Sequence, residues 1–440
     1  MRRTGIWALG ATVSAVALSL AWPRPSAGQG AAPARPRPPL RRPAAPASTA
    51  PSAPPADEGA LYTDAAALAS RFVQANLQPT GLVSALRIYQ YATVWDIASG
   101  LAALYCAHEL GLVDDARYDT QIRKMLRTLK RVELFDGAAF NKVYSTRTGA
   151  MARDDRPSKR GSGWSAIDLG RLLLWLKIVA VHQPQYADDA AAVVKRLDAS
   201  RVVADGYTRG ASLKPSGQVF EYQEGRVGYE QYAARGFAAW DFPVDGALDI
   251  KRNSVPLAVM GRTLLGDVRG NDRLTAEPFA LIGLEVGFAP DERALAEQLL
   301  AAMEERYRRS GRLTMLGEDA IGRAPYYFYY YCAYANGKEF AVDVQDPRAF
   351  VDAPRWLSAK GAFAWRVLFP TDYTARILAA VLPARTPLGW GSGIYESEGR
   401  STGTVNINTQ AVILEAALVR KRAQPLMATP RQVGQGRLPE

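Results

Sequence analysis

From about residue 61 onward, two patterns of hydrophobic and polar positions alternate along the chain. In the first, Tyr118, Ile122, Met125, Leu126, Leu129 and Val132 recur at helical spacing, with Arg123, Lys124, Arg127, Lys130 and Arg131 between them. That is a helix with one wet face. Residues 61–76, 185–198, 291–309 and 372–383 read in the same way. In the second pattern the residues are apolar or small on all sides, which predicts a helix buried all round. Residues 94–110 show it most clearly, with Gly111 as the stop. Residues 165–181, 228–239, 276–286, 357–368 and 405–418 follow suit. Six buried helices and five amphipathic ones predict an all-α fold, an (α/α)6 toroid with short β-hairpin insertions. The competing architecture is an irregular or unclosed helical solenoid, although the spacing of the buried helices is longer and less regular than in standard repeats. The missing outer helix falls between Trp240 and Thr275, where Ala247–Lys251 and Val255–Met260 read as strands. Pro325 to Phe340, rich in aromatics and carrying an Asn336-Gly337 turn, reads as a hairpin.

The first sixty residues follow neither pattern. Arg2 and Arg3 precede an apolar run from Gly5 to Trp22, and Ser26-Ala27-Gly28 follows. This is the order of an export signal; the run is also at the lower limit of a membrane span, so an uncleaved anchor is the alternative. A Pro/Ala/Arg-rich stretch comes next and reads as a semi-extended linker. The expected organisation is a signal peptide at 1–28, a linker at 29–60, the helical domain at 61–423 and a tail at 424–440. The expected location is the periplasm or the exterior.

The net charge of +11 does not redirect this reading. Much of it comes from those first residues, where seven arginines face only Asp57 and Glu58. No basic run with interleaved aromatics follows, so nucleic acid is not an expected partner. Cys106 and Cys332 lack metal spacing, and whether they pair stays open. His108 and His182 are the only histidines in the sequence, which disfavours a His-rich zinc site and a Ser-His-Asp triad. There is no phosphate-binding glycine motif. Neither a cofactor nor a metal is called for.

The candidate chemistry lies in carboxylates set among aromatics. Tyr222 to Trp240 brings Glu224 and Glu230 together with tyrosines and arginines where a buried helix begins. Rings pack against the apolar face of a sugar, and carboxylates accept its hydroxyls or do acid/base work. Glu230 is the first candidate for a general acid and Glu224 the second. The partner carboxylate would be Asp96, Asp168, Glu277, Asp319 or Glu396. Three of these follow a polar cap, as Thr93/Asp96, Ser165/Asp168 and Thr275/Glu277, and capping alone is the competing account of them. Candidate sugar contacts are Trp95, Asn141, Tyr144, Arg147, Trp164, Arg171, Tyr229, Trp390, Tyr395, Asn406 and Asn408. They come from helix starts and from loops such as Asn141–Thr148, Gly163-Trp164-Ser165 and Gly389–Glu396.

The motifs T-V-W-D-I-A-S-G-L-A-A-L, N-K-V-Y-S-T-R-T-G, W-S-A-I-D-L-G-R, Y-Q-E-G-R-V-G-Y-E-Q-Y-A-A-R-G-F, A-E-P-F-A-L-I-G-L-E-V-G, L-G-E-D and G-I-Y-E-S...N-I-N-T stand in this order. Over about Tyr62 to Leu418 the chain resembles the bacterial domain-of-unknown-function family 3131. More remotely it is similar to the endo-β-1,2-glucanase-like glycoside hydrolases, which are (α/α)6 toroids. It departs at Gly391-Ser392, where Tyr-Ala is expected between Trp390 and Gly393, and at Gly317, where a serine is expected before Glu318. The resemblance implies an exported glycoside hydrolase or transglycosylase acting on an envelope or secreted glucan through paired carboxylates, with an oligo- or polysaccharide as partner. The alternative is a non-catalytic glycan-binding or polysaccharide-export accessory protein.

Overall fold

The computed structural model describes residues 57–269, 273–333, 338–344 and 354–429. The expected signal peptide and nearly all of the linker, the Asn336-Gly337 turn and most of the tail lie outside these residues.

Among the described residues the helices are α1 (Glu58–Asn76), α2 (Val94–Glu109), α3 (Asp115–Leu129), α4 (Ala166–His182), α5 (Ala187–Val194), α6 (Ala199–Val202), α7 (Tyr229–Ala238), α8 (Asp245–Leu248), α9 (Glu277–Leu281), α10 (Pro290–Ser310), α11 (Ala359–Leu368), α12 (Asp372–Val381) and α13 (Ile407–Arg422). A π-helical turn, Ile282–Val286, extends α9. The helices predicted to be buried all round are α2, α4, α7, α9 with its π turn, α11 and α13. Each packs on the next in that order, and α13 packs back on α2. Four of the amphipathic helices lie against them, α1 on α13 and α2, α3 on α2, α5 on α4 and α12 on α11, while α10 lies against the strand Arg262–Asp267. One continuous apolar core links the two sets.

The tightest crossing is between α4 and α7. A Cβ on Gly236 would sit 1.9 Å from the carbonyl oxygen of Gly170, and a Cβ on Gly170 2.4 Å from the Cα of Ala233. The two backbones touch there because neither helix presents a side chain.

Between α7 and α9 the chain makes a hairpin, Ser254–Val259 against Arg262–Asp267. The strand expected at Ala247–Lys251 does not form. Its first residues belong to the single turn α8, where the Ala247 carbonyl accepts Gln231 Nε2 at 3.0 Å, and Asp249 Oδ1 takes the N–H of Lys251 at 2.9 Å in a tight turn. The aromatic hairpin forms as Tyr327–Ala333 against Glu339–Asp343, with Glu318–Ala320 added on the other side of the first strand.

Further short strands cluster where inner helices begin. Tyr91–Thr93 runs into α2 and pairs with Val143–Ser145. Gly163–Trp164, two residues before α4, pairs with Tyr207–Leu213, whose other neighbour is Val219–Gln223. Trp356–Ser358 runs into α11 and pairs with Gly393–Tyr395. These sheets frame one end of the ring of helices. Both cysteines are buried and unpaired, and burial pushes their thiols up. No helix among the described residues is long and apolar enough to cross a membrane.

Candidate functional site

The starts of all six inner helices converge on one cavity of about 920 Å3, counted to its open mouth. Thr93, Trp95 and Asp96 come from α2, Ser165 and Asp168 from α4, and Arg226 and Tyr229 from the entry to α7. Glu277 comes from α9, Lys360 from α11, and Asn406 and Asn408 from α13. Glu318, Asp319, Tyr327 and Tyr329 come from the aromatic sheet. A cavity ringed by helix N-termini is furnished with unpaired backbone N–H groups, which favours carboxylates there.

Each carboxylate is held differently. Asp96 completes a capping box: its Oδ2 accepts the N–H and hydroxyl of Thr93, both at 2.9 Å, and its Oδ1 accepts Asn408 Nδ2 at 2.9 Å. Asp168 accepts the Ser165 hydroxyl at 3.0 Å and, more weakly, the N–H of Trp95 at 3.3 Å. It keeps accessible surface in the cavity but is walled by protein and has no cation of its own. Burial, and next the charge of Glu224, push its carboxyl up to about 7. Glu277 Oε1 accepts Lys360 Nζ at 2.9 Å, and its Oε2 accepts the N–H of Glu318 at 3.0 Å. Lys360 also lies 3.2 Å from Asp319 Oδ1, while Asp319 Oδ2 accepts the indole N–H of Trp356 at 2.9 Å. Glu318 is paired with Arg226, whose guanidinium stacks 4.3 Å from the centre of the Tyr229 ring. Trp95, half-buried, meets Tyr229 and Tyr232 edge-on at 5.9 and 5.8 Å. Asn408 Oδ1 is buried without a protein partner.

Of the residues singled out from the sequence, the cavity gathers Asp96, Asp168, Glu277, Asp319, Trp95, Tyr229, Asn406 and Asn408. It does not gather the others. Glu230 lies off the cavity wall, with both oxygens on Arg269 at 3.0 and 2.5 Å and a further bond from Gln223. Glu224 sits behind Asp168. Glu396 is tied to Arg306 and to the Tyr330 hydroxyl. Trp164 is fully buried, its indole N–H bonded to the Arg209 carbonyl at 2.8 Å, so it is a core residue and not a stacking surface. Trp390 and Tyr395 are likewise buried. Asn141 and Tyr144 are buried brackets: Asn141 Nδ2 donates to the Val143 and Ala152 carbonyls, and the Tyr144 hydroxyl bridges the Asn141 N–H and the Glu133 carbonyl. Arg147 is exposed, its one long contact being with Gln90. Arg171 lies under Trp95, closed off from the cavity by that ring. The expected Thr275 cap is absent because its hydroxyl donates to the Tyr330 carbonyl instead.

The matched family model is "Protein of unknown function (DUF3131)", over residues 64–423. The chain belongs to the DUF3131 family. No curated protein matches it. Among solved structures, this DUF3131 chain is similar to a candidate glucoamylase from Bacteroides fragilis, with 14% identity and a TM-score of 0.62, covering 87% of this chain and 94% of that one. It is also similar to the endo-β-1,2-glucanase from Chitinophaga pinensis, solved with sophorotriose and glucose, with 11% identity and a TM-score of 0.59, covering 85% and 94%. A third is the endo-β-1,2-glucanase from Talaromyces funiculosus, solved with sophorose, with 12% identity and a TM-score of 0.53, covering 82% and 84%. At these identities the likeness is one of fold.

Several residues of this DUF3131 cavity carry little local signal in the sequence. Arg226 stood inside the Tyr222–Trp240 stretch but was not singled out; its value comes from Glu318, 92 positions away. Lys360 lies in a helix that reads as apolar, and a lone lysine on a buried face, one residue into the helix, was the available signal. Tyr327 and Tyr329 follow strand alternation, which puts both on the cavity side.

Proposed function

We propose that this protein is an exported glycoside hydrolase or transglycosylase of the glucan-acting kind, with an (α/α)6 toroid as its scaffold. The cyclic packing of the six inner helices supports the toroid, the hairpin between α7 and α9 standing where an outer helix would be. The observation that carries the function is one cavity, walled by Trp95, Tyr229, Tyr327 and Tyr329, in which a carboxyl pushed to about 7, Asp168, and an ion-paired carboxylate, Glu318, come from elements on different sides of the ring. Cleavage of a glycosidic bond needs two carboxyl groups in different protonation states. In this reading Asp168 gives its proton to the departing glycosidic oxygen as that C–O bond breaks, while water, or in transfer a second sugar's hydroxyl, bonds to the anomeric carbon and its released proton restores Asp168. Glu318, ion-paired with Arg226, faces the far side of the sugar, where the transition state carries positive charge. Trp95 offers a ring face, and Asn408 Oδ1 an acceptor for a hydroxyl. Glu277 and Asp319, tied to Lys360, fix the floor between them.

The test is release of reducing ends from linear glucans of defined linkage, β-1,2 first, with the products sized. Asp168→Asn and Glu318→Gln are each expected to lose about a hundred- to ten-thousand-fold in turnover, and Asp168→Asn to keep glucan affinity. Wild-type protein that binds glucan but neither hydrolyses nor transfers it would overturn the enzymatic reading in favour of the accessory binder. Export rests on the Arg-Arg, apolar, small-residue order at the N-terminus; full-length protein recovered only from cytosol with residues 1–28 retained would refute it.

A further inference from the structure

Glu224 is buried and is not part of the cavity wall. Its Oε2 accepts the N–H of Ala166 at 2.6 Å, in the first turn of α4 and two residues before Asp168. Its Oε1 is buried with no hydrogen-bond partner. The seat is cut for it: a Cβ on Gly210 would lie 2.3 Å from Glu224 Oε2. Behind it lies Lys142, itself buried, whose ammonium donates to the Ser212 hydroxyl at 3.1 Å. A carboxylate committed so tightly to a helix start, with an oxygen left over and a buried lysine behind, is more than a cap; the Ser165 hydroxyl already caps α4 by accepting the N–H of Asp168.

We propose that Glu224 is a positioning residue that acts on catalysis only through Asp168, holding the start of α4 in place and presenting a negative charge to the back of that carboxyl. This rests on the reading of Asp168 as the general acid. The groups around Asp168 are few enough to name. Asp96 faces it from α2, and Arg226 and Tyr229 from the entry to α7. Across the cavity stand Glu277, Glu318, Asp319 and Lys360. After desolvation, Glu224 is the strongest influence on the Asp168 proton, ahead of Asp96. Burial pulls the Lys142 ammonium down, while Glu224 and then Asp168 hold it up. Burial pushes the Glu224 carboxyl up, and the Lys142 charge behind it pulls against that.

The test reads the proton directly. The infrared difference spectrum between wild type and Asp168→Asn isolates the protonated carboxyl of Asp168, and its titration midpoint is expected at about 7. In Glu224→Gln, which still offers an acceptor to the Ala166 N–H, the midpoint falls by on the order of one unit. Gly210→Ala, which displaces Glu224, moves it the same way. On a glucan that is turned over, the alkaline limb of kcat/KM moves down with the midpoint while KM stays constant. An unmoved midpoint in folded Glu224→Gln, or in Gly210→Ala should that variant alone fold, overturns the proposal. A midpoint that moves in a protein without activity on any glucan leaves the coupling standing and removes only the enzymatic reading.

Discussion

Asp168 carries a cost that the folded protein shows with or without a substrate. Its carboxyl titrates at about 7 in the folded state, against an ordinary value of 3.8. Between those values the native state holds a proton that the unfolded chain has lost, so the contribution of Asp168 to stability falls as pH rises through that window. Asp168→Asn removes the ionisation, and its single amide oxygen still accepts one of the two bonds that Ser165 and Trp95 give to Asp168. Its stability is expected to come closest to a common level with wild type near pH 4 and to gain on wild type up to about pH 7, by at most about 4 kcal/mol at the full shift; calorimetry across that range checks it. Glu230 differs in its partners, not in the direction of its shift. Although burial pushes its carboxyl up, Arg269 and Gln223 hold both its oxygens. Glu230→Gln is expected to lose about 1–3 kcal/mol of stability with glucan turnover retained, read by urea unfolding beside the reducing-end assay. The cap spacings in the sequence led to Asp96 and Asp168, because capping is a local rule. The same sequence put Glu230 first, because its partner lies 39 residues downstream, and no local pattern records which of two nearby glutamates a distant arginine will claim.

At the scale of elements, the legible part was the alternation of wet-faced and apolar helices, since burial on one side or on all sides writes itself into every turn. The hairpin Tyr207–Leu213 with Val219–Gln223 was not read, because its half-buried positions break strict alternation. That sheet decides the fate of Trp164. Gly163-Trp164 pairs with Ala211 and Ser212, which draws the indole inward against Phe135. Trp164→Ala is therefore expected to cost about 3–5 kcal/mol of stability, with any loss of glucan affinity following from the damaged α4 entry; thermal melts set against binding isotherms separate the two. The α4–α7 crossing makes a sharper demand. With Gly170 carbonyl oxygen where a Cβ of Gly236 would stand, Gly236→Ala has no flexible side chain to push aside. Helices carrying Asp168 and Tyr229 must then separate, at about 1–3 kcal/mol.

Across the whole molecule, one guanidinium fastens the ring from within. Arg171 of α4 donates to Glu285 in the π turn and to Glu415 of α13, each at 2.8 Å, and to the Tyr232 hydroxyl of α7 at 2.8 Å. Its cation also lies 4.9 Å from the Trp95 ring of α2, beneath the cavity. Contacts that span up to 244 positions cannot be read from any window of sequence; there, Arg171 looked like a sugar contact. The cluster holds two buried carboxyls against one cation. Burial pushes Glu415 well above the ordinary range, with Arg171 pulling against it. Arg171→Met leaves both carboxyls without that charge, and a buried ion pair broken on one side typically loses about 3–5 kcal/mol. Without Arg171, Glu415 takes up a proton still more readily in the folded state, so the deficit is expected to be smaller near about pH 5 and to grow towards about pH 8. Replacing all three together, as Arg171→Met with Glu285→Leu and Glu415→Leu, removes the uncompensated charge and is expected to recover most of the loss. Urea midpoints at the two pH values decide it: a single variant as stable as wild type at both would mean that the cluster does not hold the ring together.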